Sequence, residues 1–349
     1  MAVSRKETDR FEPAGGMTIG EACLQASSYL AKAGASEPRA SAELLLMHAL
    51  GLDRAAFLRD WREPMPEERL AEWAAMVRRR AAGEPVQYIV GEQWFCGLPF
   101  TVTPAVLIPR PESELLVEAV LETADRLWPS SSGAANPRAS DAAHPRASIP
   151  DAARPHAVAN ADSAQPHGAG VGPARPLVAD IGTGSGAIAV ALAVRRPMWR
   201  LFATDLSPDA LAVAKANADR HGVSGRIAFI RGDLLEPFAS GAEAGAALDI
   251  VVSNPPYIPS SDLPGLQREV RDFEPRLALD GGADGLEPYR RMAARLRALP
   301  SAPRLVAFEV GFGQARAVAD LLADAGLWSD IRIIRDYAGI ERHVIASAP

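Results

Sequence analysis

The residues best suited to chemistry are an amide, two prolines and an aromatic ring, Asn254-Pro255-Pro256-Tyr257, which follow the largely apolar run 248–252 after a single serine. Proline fixes φ and has no backbone N–H, so a strand must end here with its last carbonyl groups unpaired. The Asn254 side chain adds a carbonyl oxygen and an NH2 group. The tetrapeptide therefore predicts a rigid set of acceptors beside a flat ring, suited to a planar NH2-bearing group. A Pro-rich turn without a binding role is the alternative interpretation.

A glycine-rich segment, Gly182-Thr183-Gly184-Ser185-Gly186, follows the strand-like run 177–181 and precedes a helical pattern. Glycines permit a tight turn there and let a ligand lie against the backbone, above the carboxyl ends of parallel strands. Asp205, after the next strand-like run, is placed to accept ribose hydroxyl groups. With Ala187 in third place the loop also satisfies the dinucleotide fingerprint. The pattern therefore predicts a nucleoside-type cofactor without identifying it.

Two further acids favour one cofactor. Asp180 precedes the glycine loop, and Asp233 follows the third strand-like run with Leu234 beside it. Extra carboxylates would repel a pyrophosphate, whereas S-adenosylmethionine carries an ammonium group and a sulfonium group. Asp233 suits the amino group of an adenine and Leu234 its face. Asp180 is equally well explained as a structural carboxylate.

Strand and helix patterns alternate from residue 177 to the C-terminus. The strand-like runs are 177–181, 200–204, 226–230, 248–253, 304–310, 331–335 and 343–346, and the helical patterns are 187–196, 208–221, 287–299 and 313–325. This alternation predicts an α/β fold with a mostly parallel, doubly wound sheet. The last two runs are separated only by a turn around Ala338-Gly339, so they should pair antiparallel.

The first 106 residues are predicted to form a separate unit. Residues 1–16 are expected to be flexible, and 17–84 to form a helical bundle, with helices that begin after Thr18 (a capping box with Glu21), at Pro38 and at Pro66. Residues 85–106 are rich in β-branched and aromatic residues punctuated by glycine, which predicts a β-hairpin with 86–90 as a strand. The bundle could serve as a docking surface or a lid.

The domain that follows is expected to span residues 107–349. Its first segment, Leu107-Ile108-Pro109-Arg110-Pro111-Glu112, is stiffened by prolines and leads into a helix over 115–128. Either it is a rigid linker, or Leu107 and Arg110 line a site. Residues 129–176 are almost entirely Ala, Pro, Ser, Arg, His, Asp and Gly, and cannot bury enough apolar surface to offset the entropy of ordering. We expect a disordered low-complexity insertion, whose scattered histidines form no metal site.

Composition narrows the class of protein. The chain has 349 residues, of which 48% are hydrophobic, and a net charge of −6, which does not favour a nucleic-acid-binding surface. Cys23 and Cys96 are too few and too distant to suggest a disulfide framework, so a reducing compartment is expected. No apolar run approaches the roughly 20 residues of a membrane helix. We expect a cytoplasmic, monomeric protein that binds no membrane, metal or nucleic acid.

The sequence resembles the peptide-chain release factor glutamine methyltransferases. The resemblance extends over most of the chain outside the insertion and rests on 85–89, 107–112, 180–188, 253–258, 270–271, 274–275, 282–286, 289–290, Glu309, Gln314, Asp336, Gly339 and Arg342. The Asn-Pro-Pro-Tyr tetrapeptide also occurs in DNA adenine methyltransferases, but the Ile-Pro-Arg-Pro-Glu segment and the helical N-terminal region are more specific to the glutamine enzymes. The chain departs from the family at Ser113, where threonine is usual, and in the insertion 129–176.

The resemblance implies a Rossmann-like class I methyltransferase with a seven-stranded sheet whose last strand is antiparallel. It implies transfer of a methyl group from S-adenosyl-L-methionine, with S-adenosyl-L-homocysteine as product, to the glutamine of the GGQ motif in class I release factors, in support of translation termination. The expected cofactor-binding residues are Asp180, Gly182, Thr183, Gly184, Ser185, Gly186, Asp205, Leu206, Asp233, Leu234 and Asn254. The expected catalytic residues are Asn254, Pro255, Pro256 and Tyr257, which with Leu107 and Arg110 would also bind substrate.

Three alternatives remain open from the residues alone. An adenine-specific DNA methyltransferase would use the same acceptors on a flipped base, but should bring a basic target-recognition region that this acidic chain lacks. An NAD-linked oxidoreductase needs a hydride-relay residue, and His221 and His343 occupy ordinary helix-end and strand positions. A binding adaptor with a degenerate methyltransferase domain is disfavoured by the intact glycine loop, Asp205 and Asn254.

Overall fold

The computed structural model describes residues 11–13, 15–129, 176–240, 243 and 245–348. Most of the N-terminal segment 1–16 and nearly all of the insertion 129–176, both predicted to be disordered, lie outside the described residues. None of the helices in these ranges combines the length and the apolar composition that crossing a bilayer requires.

Four helices form the N-terminal bundle: α1 (Ile19–Lys32), α2 (Pro38–Leu50), α3 (Arg54–Arg59) and α4 (Glu67–Ala81). The predicted capping box is confirmed, since Glu21 N donates to Thr18 Oγ1 at 3.2 Å and Thr18 N donates to Glu21 Oε2 at 2.8 Å. The apolar stripes meet around the fully buried Trp73 and Phe57. The short α3, capped by the side chain of Asp53, was not predicted from the sequence.

The segment predicted as the first hairpin strand is helical, so that prediction was wrong. Residues 86–90 form α5 (Val86–Val90), which begins at Pro85 and ends at Gly91 with φ of +77°. The turn packs Val86 and Ile89 into the bundle, while Tyr88 faces away and donates to the Val106 carbonyl at 2.5 Å. In a strand, Val86 and Ile89 would point to opposite faces and could not both pack into the bundle while Tyr88 packs beside Val106. Tertiary packing therefore overrides the β propensity of this segment.

The predicted hairpin is confirmed one segment later, as β1 (Glu92–Phe95) and β2 (Leu98–Thr101), which pair antiparallel. The turn between them is made by Cys96 and Gly97, which both have positive φ, +50° and +75°. Positive φ at both central residues is what a two-residue hairpin turn of the common type requires.

The predicted seven-stranded sheet with an antiparallel last strand is confirmed. The strands are β3 (Leu177–Ile181), β4 (Arg200–Asp205), β5 (Ile227–Arg231), β6 (Ile250–Ser253), β7 (Leu305–Glu309), β8 (Asp330–Arg335) and β9 (Glu341–Ser347). Their order in the sheet is β5-β4-β3-β6-β7-β9-β8, and β9 runs antiparallel to both of its neighbours. The order reverses at β3, which pairs with β4 on one side and β6 on the other. A crevice at the carboxyl ends of the strands is expected at such a point.

Helices cover both faces of the sheet, and successive residues of the central strands alternate between them. Val178, Ile250 and Val252 contact the face covered by α6 (Pro111–Leu127), α7 (Ala187–Arg195) and α8 (Pro208–Arg220). Ala179 and Val251 contact the opposite face. That face is covered by α9 (Glu236–Ala239), α11 (Glu287–Leu296) and α12 (Ala315–Ala325), while α10 (Arg268–Phe273) lies in the connection between β6 and α11. The short α9 and α10 were not predicted.

A buried cation joins the bundle to α10. Arg80 is 3% exposed and forms an ion pair with Glu269 Oε2 at 2.7 Å. Its remaining N–H groups donate to Ser41 Oγ, Ser36 and the Glu84 carbonyl, and Ser36 Oγ donates to the second carboxylate oxygen of Glu269 at 2.5 Å. Burying a charge is unfavourable unless it is paired and hydrogen-bonded, so this contact specifies how the bundle meets the connection that follows Tyr257.

Candidate active site

A cavity of about 730 Å³ opens above the carboxyl ends of β3, β4 and β6, which is within the range of small-molecule sites. It brings together most of the residues that the sequence singled out. Those that line it are Leu107, Arg110, Gly182, Thr183, Gly184, Ser185, Asp205, Leu206, Asp233, Leu234, Asn254 and Pro256. Asp180, Gly186, Pro255 and Tyr257 are not among the lining residues. The far wall comes from the connection between β6 and α11, through residues that were not predicted: Pro275, Leu277, Ala278, Asp280, Gly281 and Gly282.

The glycine loop takes the conformation that its composition permits. Gly182, Gly184 and Gly186 have φ of +71°, +56° and +79°, which other residues adopt only with strain. In the part of the chain that the structure describes, and apart from the adjoining residues, no atom lies within 4 Å of where a Cβ would project at Gly182 or Gly184, whereas at Gly186 it would lie 3.0 Å from Ala214 Cβ of α8. The first two glycines thus leave room for a ligand against the backbone, and the third lets α8 approach.

Asp205 is held beside this loop by two backbone donors. Its Oδ2 accepts from Gly184 N at 2.9 Å, and its Oδ1 accepts from Ser207 N at 2.9 Å. Burial raises the pKa of this carboxyl, and the bonds from Ser207 and Gly184 oppose that effect. Because each carboxylate oxygen can accept more than one hydrogen bond, Asp205 keeps acceptor capacity for a hydroxyl group in the cavity.

Asp180 stabilises the glycine loop from its buried side. It is 1% exposed, and its Oδ2 accepts from Thr183 Oγ1 at 2.7 Å and from Ala189 N at 3.1 Å. Its Oδ1 has no hydrogen-bond partner among the described residues, and burial raises the pKa of the carboxyl to about 7. These contacts match the structural interpretation of Asp180, because its bonded oxygen orients the turn rather than facing the cavity.

Asp233 and Leu234 line the part of the cavity that lies beyond the end of β5. Asp233 Oδ2 forms an ion pair with Arg291 Nη2 of α11 at 2.6 Å, so one carboxylate oxygen has a partner that sequence reasoning missed. Leu234 has a φ of +51° and a half-buried side chain that lines the cavity. An acceptor beside an apolar side chain is chemically suited to an adenine ring, as the sequence suggested.

Asn254 is oriented by a chain of hydrogen bonds that ends on a buried carboxylate. Its Nδ2 donates to Ser113 Oγ at 3.0 Å, and Ser113 Oγ donates to Glu309 Oε2 at 2.5 Å. The amide nitrogen is thus engaged with α6, and among the described residues none donates a hydrogen bond to Asn254 Oδ1, which remains available as an acceptor. The role of Ser113 was not predicted from the sequence, because Ser113 lies 141 positions from Asn254 and no periodic pattern connects the two residues.

Close contacts with neighbouring residues fix the backbone of Pro256 and Tyr257. Tyr257 O accepts from Gln314 Nε2 at 2.9 Å, and a Cβ at Gly285 would lie 2.2 Å from the same oxygen. A Cβ at Gly281 would lie 2.8 Å from Pro256 O. Burial raises the pKa of Tyr257 to about 12, so its phenol remains protonated at neutral pH. The prolines and these close neighbours together fix the backbone carbonyls next to Asn254.

Arg110 lies at the cavity wall but is paired with a buried acid. Its guanidinium forms an ion pair with Glu274, whose side chain is 1% exposed and also accepts from Ile108 N at 3.3 Å. Leu107, two residues before Pro109, lines the cavity directly. The linker and site interpretations of this segment are therefore compatible, because the same contacts that stiffen it place both side chains at the cavity.

We predict that the buried carboxyl of Glu309 makes stability depend on pH. Burial raises its folded-state pKa to about 7, above its ordinary value of 4.5. A raised carboxyl pKa contributes stability that is fully present below the unfolded-state value and lost as pH rises through the folded-state value. The free energy of unfolding of the wild type, measured relative to Glu309→Gln by urea denaturation, should therefore fall between about pH 5 and pH 8. Glu122→Gln, at an exposed position of α6, is the control, and equal profiles for both variants would contradict the prediction.

Comparison with known proteins identifies the family. Residues 21–91 match the family model described as the PrmC N-terminal domain, and residues 173–265 match the methyltransferase small domain. The release factor glutamine methyltransferase of Moorella thermoacetica is 39% identical over 330 residues, which cover 95% of this chain and 98% of that protein. Those of Geobacter sulfurreducens and Bacillus subtilis are 39% and 36% identical and cover 90% and 94% of this chain, and 92% and 97% of their own lengths. With matches that span both the bundle and the sheet, the chain belongs to the release factor glutamine methyltransferase family.

Proposed function

We propose that this protein transfers the methyl group of S-adenosyl-L-methionine to the side-chain amide nitrogen of the glutamine in the GGQ motif of class I release factors. The observation that carries the proposal is the orientation of Asn254, whose Nδ2 is bonded to Ser113 while its Oδ1 remains free beside the cavity. The names of the curated relatives support the substrate. The reaction would take place in the cytoplasm, in support of translation termination.

The residues of the crevice fit the cofactor. The open positive-φ glycines would face its methionine part, Asp205 would accept ribose hydroxyl groups, and Asp233 with Leu234 would bind the adenine. Asp205 and Asp233 also contribute negative charge to the cavity, which favours a sulfonium and an ammonium group over a pyrophosphate. When bound, S-adenosylmethionine supplies an electrophilic methyl group; no metal is needed for this chemistry.

The substrate amide is a poor nucleophile because its nitrogen lone pair is delocalised. In the proposed mechanism Asn254 Oδ1 and the Pro255 carbonyl each accept one N–H of the glutamine amide, which orients the nitrogen and enriches its electron density. Tyr257, which is half-buried and follows the cavity-lining Pro256, would stack on the planar amide once the substrate is bound, and the prolines keep the acceptors from relaxing. The transfer discharges a sulfonium, so a dry cavity favours it. The methylated amide then loses a proton readily, and no dedicated general base is required.

We assign the bundle, residues 17–84, to binding of the substrate protein, residues 85–106 to the linking hairpin, and residues 107–349 to methyl transfer. The contact of Arg80 and Ser36 with Glu269 supports coupling between the two parts, because α10 lies in the connection that forms the far wall of the cavity. We propose that the protein acts as a monomer without a nucleic acid partner.

An adenine-specific DNA methyltransferase could use the same grip on an exocyclic amine. The net charge of −6 and the match of residues 21–91 to an N-terminal domain of the glutamine enzymes both favour a protein substrate instead. Tight, salt-sensitive binding to duplex DNA would support the alternative.

The proposal predicts the outcome of a methyl-transfer assay with labelled S-adenosylmethionine and a purified class I release factor. Label should appear on the wild-type release factor and be absent from a variant whose GGQ glutamine is replaced by alanine. The alanine variant is the matched control, since it keeps the rest of the binding surface. Absence of label on the wild type, or equal label on both, would refute the proposal.

A further inference from the structure

We propose that Ser113 and Glu309 are positioning residues that set which atom of the Asn254 amide faces the substrate, through a hydrogen-bond chain that can run in only one direction. The inference rests on the proposed role of Asn254 and adds the groups that make that role possible. Ser113 lies on the first turn of α6 and Glu309 at the end of β7.

The chain is buried and short. Ser113 is 4% exposed and Glu309 is 2% exposed. Asn254 Nδ2 lies 3.0 Å from Ser113 Oγ, which lies 2.5 Å from Glu309 Oε2. The end of β7 is fixed in turn, since the Glu309 carbonyl accepts from Tyr289 Oη at 2.7 Å. Ser113 also lines the cavity, so the hydroxyl that links the amide to the carboxylate lies at the boundary between the cavity and the core.

The direction of the chain follows from the chemistry of its last member. An ionised carboxylate can only accept hydrogen bonds, and a serine hydroxyl has a single proton to donate. Once Ser113 gives that proton to Glu309, only its lone pairs remain to face Asn254. Asn254 must then present its NH2 group to Ser113, and its Oδ1 faces the other way.

Shape alone could not set this orientation. The oxygen and nitrogen of an amide are nearly identical in size, so a flipped Asn254 would pack equally well. A flipped Asn254 would point NH2 at the NH2 of the substrate amide and could accept neither of its protons. The chain therefore distinguishes a productive from an unproductive side chain of the same shape.

Glu309 is ionised at alkaline pH. Burial raises its pKa to about 7, and Glu112 of α6 also raises it, while hydrogen bonding from the side chains of Ser113 and Asn254 and the charge of Arg342 lower it. His343, its pairing partner on β9, is uncharged there because burial lowers its pKa to about 4. At pH 8 the carboxylate is therefore an acceptor only, and that pH is suited to a test.

The test uses two replacements of equal shape, Ser113→Thr, which keeps the hydroxyl, and Ser113→Val, which removes it. With saturating S-adenosylmethionine and a release factor at pH 8, Ser113→Val should lower kcat about tenfold, the scale of one lost buried hydrogen bond. The KM for the release factor and the Kd for S-adenosylmethionine should stay within about twofold, because the glycine loop, Asp205 and the N-terminal bundle are unchanged. Ser113→Thr should restore kcat. Glu309→Gln, which can donate as well as accept, should lower kcat several-fold.

A double-variant cycle shows whether the hydroxyl acts through Asn254. In the Asn254→Ala background no amide remains to be oriented, so Ser113→Val should lower the residual kcat no further. An equal loss in both backgrounds, equal kcat for the Thr and Val variants, or a loss confined to KM or Kd would each overturn the inference. If Ser113→Val does not fold by circular dichroism, Ser113→Ala replaces it in the same cycle. An inactive wild type would refute the proposed function, whereas an active wild type with an unaffected Ser113→Val would refute this inference alone.

Discussion

Replacement of Asn254 by alanine is expected to lower kcat for methyl transfer by about 10²–10³-fold, the loss typical when one preorganised hydrogen-bonding group is removed from an active site. Asn254 Oδ1 is the free acceptor beside the cavity, and its loss leaves the glutamine nitrogen with delocalised electrons and no fixed orientation. The Kd for S-adenosylmethionine should change less than about threefold, because the glycine loop and Asp205 remain in place. The measurements are single-turnover methyl transfer and calorimetric cofactor binding.

Asn254→Asp is the matched comparison, because it keeps the shape of the side chain. An ionised aspartate cannot donate to Ser113, and it brings a second negative charge toward the buried Glu309, so a comparable loss of kcat is expected. Near-normal turnover of Asn254→Ala with the cofactor bound would show that the tetrapeptide is not the methyl-transfer site.

The second large effect is expected for Asp205→Asn, which should weaken binding of S-adenosylmethionine about 10–100-fold, since hydrogen bonds to a charged group are lost. The two oxygens of Asp205 accept from Gly184 N and Ser207 N, but an asparagine has one acceptor oxygen and must turn its NH2 toward one of these donors. The loop would then lose its anchor, and the ribose its acceptor. Isothermal titration calorimetry measures the change directly.

Asp219→Asn is the control. Asp219 is exposed on α8, so this substitution removes the same negative charge at a position away from the cavity. At saturating cofactor Asp205→Asn should recover much of its kcat, which separates it from Asn254→Ala. A Kd within twofold of the wild type would exclude Asp205 from cofactor binding.

Local patterns were sufficient to predict the sheet and the glycine-loop side of the cavity. Strand-like runs that alternate with helical patterns located all seven strands of the sheet, because a parallel strand buried on both faces needs a nearly continuous apolar run. The same logic placed Gly182 to Gly186 and Asp205 beside Asn254, since the carboxyl ends of neighbouring parallel strands meet at one edge. Local patterns also produced the wrong prediction for residues 86–90. The segment carries strand-forming residues, yet it is helical because its side chains are buried against two different neighbours.

The sequence by itself determined that the tetrapeptide Asn254 to Tyr257 lies next to a glycine loop, and through its motifs it indicated the family. Only the tertiary structure decided how the amide is oriented and how the flanking segments are held. Ser113 and Glu309 are 196 positions apart, Arg110 and Glu274 are 164 apart, and neither pair has a spacing that a periodic pattern could reveal. The reason is physical: buried polar groups must find partners wherever the fold brings them, and those partners come from distant helices and strands that meet only when the core is packed.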